Sequence, residues 1–141
     1  MPYLNTIMKK NLLLLIAAGL IALTPACHKS SGGGSNEATL TVTTTPANGS
    51  TEAPAPGPTF PLAVQITSTM PPSGVKIQVS AKIDGSSNAP FYTTNVTSSS
   101  ALNNFSITGT PPTVICLVTV TVTSVTSSSN VWSGSYRYSS K

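Results

Sequence analysis

Charged side chains are scarce in this sequence. Only 7% of its 141 residues are charged, against about 25% in an ordinary soluble domain. After residue 26, five basic and three acidic residues remain, and the basic ones are scattered along the chain. A nucleic-acid surface needs clustered Lys and Arg to neutralise successive phosphates. We therefore expect no nucleic-acid partner.

Residues for catalysis and metal binding are also few. The one histidine is His28, and the acids after residue 26 are Glu37, Glu52 and Asp84, far apart in sequence. A Ser-His-Asp triad, a carboxylate pair or a metal centre each needs several such groups together. We therefore expect a protein that is not an enzyme and that has no metal and no cofactor. A serine paired with Lys76 or Lys82 remains the catalytic alternative.

The N-terminal segment combines a short charged region with an apolar run. Lys9 and Lys10 precede 12 mostly aliphatic residues, Leu12 to Leu23. A membrane-spanning helix needs about 20 apolar residues, so this pattern predicts a signal peptide, residues 1–26. One interpretation is an ordinary secretory signal that is cleaved near Ala26. The cysteine after the cleavage site would then have no role in anchoring the protein.

The residues around the predicted cleavage site favour a second interpretation. The run Leu23-Thr24-Pro25-Ala26-Cys27 resembles the lipobox of bacterial lipoproteins. The resemblance implies cleavage between Ala26 and Cys27, and acylation of Cys27 by fatty acids such as palmitate. Several acyl chains on one residue hold a protein firmly at a membrane. His28, where some lipoproteins have Asp, implies the outer membrane of the bacterial cell envelope.

The residues after Cys27 predict a tether followed by a single domain. Residues 27–37 are rich in Ser and Gly, which is typical of a flexible linker. Residues 38–141 are numerous enough for one domain with a modest core. If Cys27 is acylated, Cys116 has no disulfide partner, and its position in an apolar run favours a buried thiol.

From residue 38 onward, apolar and polar residues alternate with the period of a β-strand, and turn residues separate the runs. The clearest run is Val75 to Ile83, with Lys76, Gln78, Ser80 and Lys82 on its polar side. In the longest run, Val114 to Val125, Ile115 and Leu117 predict a start covered on both faces. The other predicted strands begin at Leu40, Phe60, Phe91, Leu102 and Val131.

Seven such strands without a helical segment predict an all-β, antiparallel two-sheet sandwich. This spacing resembles the immunoglobulin-like and fibronectin type III-like modules of bacterial surface proteins. The sequence departs from antibody domains because Cys116 has no mate in the second strand and Trp132, the only tryptophan, lies in the last strand. The resemblance therefore implies a disulfide-free module.

Aromatic residues provide the one candidate ligand site. Trp132, Tyr136 and Tyr138 share one side of the last predicted strand, and Tyr92 lies in another strand. Exposed rings of this kind can stack on a sugar or an apolar partner. The opposite side of the strand carries Ser133, Ser135 and Arg137, so a location of the rings in the core is favoured over a binding surface.

Two functions follow from these patterns. The first is a lipid-anchored envelope protein that displays a structural or adhesive module, with the membrane and another surface protein as partners. The second is a carbohydrate-binding module of a surface assembly that handles glycans. An exposed aromatic row or a groove lined by loops, such as the long loop from Pro46 to Pro58, would favour the second.

Overall fold

The computed structural model describes residues 37–141. These residues form seven β-strands and no helix, which confirms the all-β prediction. Outside the described residues lie the predicted signal peptide (residues 1–26), Cys27 and the tether as far as residue 36. The strands are β1 (Val42–Thr45), β2 (Phe60–Ile66), β3 (Val75–Ile83), β4 (Tyr92–Ser98), β5 (Leu102–Ile107), β6 (Ile115–Ser124) and β7 (Val131–Ser139).

The strands form two antiparallel sheets, as predicted for a sandwich. One sheet has the order β1-β2-β5 and the other the order β4-β3-β6-β7. In constant-type immunoglobulin domains the fourth strand lies beside the fifth. Here β4 pairs with β3 instead, with Gln78 opposite Asn95, so the second sheet has four strands and β5 is an edge of the first.

Each sheet buries one face, and the two faces share one hydrophobic core. In β3 the inward residues Val75, Ile77, Val79 and Ala81 are all 0% exposed. They meet Leu62, Val64 and Ile66 of β2 and Val118, Val120 and Val122 of β6 within the same cluster. Period-2 alternation thus places the aliphatic residues inside and the Thr, Ser, Gln and Lys residues outside.

One prediction about β6 is wrong. Ile115 is 55% exposed and Leu117 is half-buried, so the start of the strand is not covered on both faces. Ile115 lies opposite Ser139 of β7, on the outward side of the four-stranded sheet. Among the described residues no further layer packs on that side, and an apolar side chain there stays in contact with solvent.

The long loop after β1 crosses from one sheet to the other. After Thr45, whose bond to Pro46 is cis, the chain leaves β2 and follows the edge of β7. The backbone amide of Gly49 donates to the carbonyl of Ser135 at 2.7 Å, and the backbone amide of Glu52 donates to the carbonyl of Arg137 at 2.8 Å. The 46–58 segment therefore covers the backbone groups along this edge, which would otherwise be unpaired.

The described chain enters the sandwich beside the start of β7. The side-chain amide of Asn130 donates to the carbonyl of Ala38 at 3.0 Å and to the carboxylate of Glu37 at 3.2 Å. Its oxygen accepts the amide of Leu40 at 2.9 Å. Leu40 precedes β1 and is only 3% exposed. Glu37, which the sequence places in the tether, thus contacts the loop between β6 and β7.

Candidate functional site

The two tyrosines of β7 lie in the core. Tyr136 is 2% exposed and Tyr138 is 3% exposed, which confirms the orientation favoured by the sequence. The ring of Tyr138 packs against Phe60 of β2, with centroids 4.4 Å apart and ring planes tilted by 51°. Its hydroxyl shares a buried 2.8 Å hydrogen bond with the hydroxyl of Thr110. Burial, partly offset by this bond, raises the pKa of Tyr138 to about 12.

Trp132 occupies the same side of β7 but is only half-buried. Its indole extends over Gly134, two residues along the strand. A β-carbon added at Gly134 would lie 2.8 Å from both an indole carbon of Trp132 and the side-chain oxygen of Asn48. Any side chain at position 134 would therefore collide with the indole, and glycine leaves the space that the indole fills beside Asn48.

The four aromatic residues proposed from the sequence do not form one exposed row. Tyr92 is half-buried at the start of β4, packed against the core. Strands β4 and β7 are opposite edges of the four-stranded sheet, so Tyr92 lies far across the sheet from Trp132. The structure brings together Tyr136 and Tyr138, whose ring centroids are 6.1 Å apart, whereas Tyr92 lies at the other edge of the sheet.

A cleft of about 490 Å³ opens beside these two tyrosines. It forms where the chain leaves β2 after Thr45 and crosses to β7. Its wall is mostly apolar and includes Phe60, Leu62, Phe105, Tyr136 and Tyr138, with Pro46, Ala53 and Ala55 from the crossing segment. The polar residues on the wall are Thr45, Glu52 and Asn104. Its size lies within the range of about 300–1,000 Å³ typical of small-molecule sites.

Tyr136 carries an unusual polar group at this wall. Its hydroxyl is buried, and within residues 37–141 no group forms a hydrogen bond with it. Burial raises the pKa of Tyr136 far above its ordinary value, and the nearby charges of Tyr138 and Glu52 add to the effect. Glu52 and Tyr136 both line the cleft.

The three carboxylates of the described chain lie apart. Glu37 contacts Asn130, and Glu52 borders the cleft, where one of its oxygens accepts the hydroxyl of Ser50 at 2.6 Å. The carboxylate of Asp84 accepts a hydrogen bond from Nε of Arg137 at 2.6 Å. This hydrogen bond holds the pKa of Asp84 below its usual value. The sequence did not single out Glu52 for the cleft, although it flagged the loop that carries it.

Cys116 is a buried free thiol, as predicted. It is 0% exposed in β6, and burial raises the pKa of its thiol. Its sulfur makes only a weak contact, 3.9 Å from the carbonyl of Val114. No group within residues 37–141 lowers the pKa of this thiol, and the thiolate is the form of cysteine that reacts.

We predict that Cys116 reacts slowly with maleimide in the folded protein and quickly after denaturation. In a Cys27→Ala background, Cys116 is the only thiol that can be labelled. Cys116→Val should change the free energy of unfolding by less than about 1.5 kcal/mol, since the volume is nearly conserved. Rapid labelling of native protein, or a dimer dissolved by reductant, would contradict the buried, unpaired thiol.

Other observations define the setting of the cleft. Within residues 37–141 there is no group of three His, Cys, Asp or Glu side chains placed to bind a metal ion. The same residues include no helix long and apolar enough to cross a membrane. No protein-family model matches the sequence, and no curated protein matches it significantly.

Proposed function

We propose that this chain is a lipoprotein of the bacterial cell envelope, held in the outer membrane through acylated Cys27. It displays a non-catalytic β-sandwich with a structural or adhesive role. The run of residues from Lys9 to Cys27 carries the proposal, because it joins a charged start, an apolar stretch and a cysteine after Ala26. The Ser/Gly-rich residues that follow are suited to hold the module away from the membrane.

The outward face of the four-stranded sheet supports a structural or adhesive role. Gln78 of β3 lies opposite Asn95 of β4 and Thr121 of β6, and Thr121 lies opposite Ser133 of β7. This row of amides and hydroxyls carries no charge and no aromatic ring. Such a row can form many weak hydrogen bonds with a neighbouring surface. The charged residues of the same face, Lys76, Lys82 and Arg137, lie to either side of it.

The decisive test of the anchor is metabolic labelling with an alkynyl fatty acid. The wild-type chain should be labelled and should sediment with the membranes, whereas Cys27→Ala should be unlabelled, because the acylated sulfur is lost. Cys116→Ala is the matched control and should be labelled like the wild type. Equal labelling of wild type and Cys27→Ala would refute the lipid anchor.

A carbohydrate-binding module is the second candidate, and one observation favours it. The 46–58 segment lines part of the cleft and places Glu52 beside aromatic rings, and loop-lined sites next to aromatic residues suit sugars. An array of glycans and matrix proteins, probed with the full chain, separates the two candidates. Binding to matrix proteins alone supports adhesion, and binding to a glycan supports the second.

A further inference from the structure

We propose that the cleft beside Tyr136 is a binding site for a small organic cation, namely an ammonium group carried on an apolar, preferably aromatic, body. This site is additional to the proposed anchor and does not depend on it. Three features of the cleft carry the inference: its aromatic wall, the unpaired carboxylate of Glu52 and the hydroxyl of Tyr136.

The wall of the cleft suits an apolar body. Phe60 and Tyr138, with centroids 4.4 Å apart, are joined on the wall by Leu62 and Phe105. A cleft of about 490 Å³ holds a ring with a short chain and leaves room for a larger ligand. Aromatic faces also attract cations, since the ring quadrupole presents negative charge above the ring plane.

The charge at the cleft favours a cation. Within residues 37–141 the only ion pair joins Arg137 to Asp84, so Glu52 has no cationic partner among them. One oxygen of Glu52 accepts the hydroxyl of Ser50, which leaves the other oxygen for a ligand. An ammonium group beside it gains a charge-assisted hydrogen bond.

The hydroxyl of Tyr136 supplies the second polar contact. Tyr136 lines the cleft and is 2% exposed, and no group in residues 37–141 forms a hydrogen bond with its oxygen. A buried hydroxyl without a partner destabilises a folded protein. An unpaired hydroxyl of this kind is expected in a binding site where the ligand supplies its hydrogen-bond partner.

The stability of two matched variants tests whether this hydroxyl is unpaired. Tyr136→Phe should raise the Tm of the full chain by about 4 °C or more, because it removes a buried polar group that has no partner. Tyr138→Phe, the control, should lower the Tm, because it leaves the hydroxyl of Thr110 (5% exposed) without its bond. A lower Tm for Tyr136→Phe would overturn the proposal.

Binding is tested with 2-phenylethylamine as the probe and phenylacetate as the control, which has the same ring and the opposite charge. In ¹H–¹⁵N spectra of the full chain in detergent micelles, the amine should shift the amides of Glu52, Ala53, Asn104 and Tyr136. We expect a Kd on the order of 1 mM, as befits so small a ligand. The proposed site would be overturned by any of three results: equal or tighter binding of phenylacetate, shifts that are confined to other residues, or the absence of any shift at about 20 mM amine.

Two variants then assign the contacts. Glu52→Gln should weaken binding of the amine about two- to fivefold, as expected for a partly exposed ion pair. Glu37→Gln removes the same charge from a residue outside the cleft and should leave the Kd unchanged. Tyr136→Phe should weaken binding about three- to tenfold through loss of one hydrogen bond. If Glu37→Gln and Glu52→Gln weaken binding equally, the proposed contact is wrong.

Discussion

Replacement of Tyr138 by alanine is expected to lower the free energy of unfolding by about 3–5 kcal/mol, the usual cost of removing a buried aromatic ring. Tyr138 is 3% exposed, and its ring contacts Phe60 of the opposite sheet at a centroid distance of 4.4 Å. The variant loses this contact between the sheets and leaves a cavity between them. A domain of this size has about 5–15 kcal/mol of stability in total, so the loss brings the fold close to its limit.

Urea unfolding followed by Trp132 fluorescence measures this effect. Tyr138→Phe is the matched variant, because it keeps the ring and removes only the hydrogen bond to Thr110. It should cost about 1–3 kcal/mol, the penalty for a buried group left without its partner. Similar costs for the two variants would show that the ring contributes little, contrary to the packing described above.

Gly74→Ala is expected to lower the free energy of unfolding by about 2–5 kcal/mol, combining backbone strain of about 1–2 with overpacking of about 1–3. Gly74 lies in the turn before β3 with a φ of 80°, a region that L-residues rarely adopt. A β-carbon there would lie 2.5 Å from the backbone oxygen of Ser98, at the end of β4. Since the neighbour is backbone, β3 and β4 must move apart.

Gly85→Ala separates the two causes. Gly85 lies in the turn after β3 with a φ of 73°, and a β-carbon there would meet nothing within 4 Å. It should therefore show the backbone strain alone, about 1–2 kcal/mol. Chemical denaturation of both variants gives the difference, which measures the contact with Ser98. An equal loss in the two variants would mean that this contact is relieved without cost.

The strands could be predicted from the sequence because their signal is local. In β3, Val75 to Ala81 alternate with polar residues, and the structure buries each apolar one completely. Both predicted bounds of β3 and the predicted first residues of β2 and β7 agree with those observed. The position of β4 beside β3 could not be predicted, since periodicity shows which face is buried and not which strand is the neighbour.

The cleft could not be predicted because it depends on backbone contacts. The 46–58 segment is held along β7 by bonds such as that from Glu52 to the carbonyl of Arg137, and backbone groups are the same in every residue. The sequence indicated which side of β7 carries Tyr136 and Tyr138. It did not show that Trp132, on the same side, would remain half-buried over Gly134.

The chain enters the sandwich at one end of β7, and the cleft lies towards the other. Entry is at Asn130, beside the start of β7, whereas the cleft lies at Tyr136 and Tyr138, six to eight residues along that strand. At about 3.3 Å per residue, the two points are roughly 20–26 Å apart. A module attached through residue 37 would therefore carry the cleft towards the end of β7 that is away from its point of attachment.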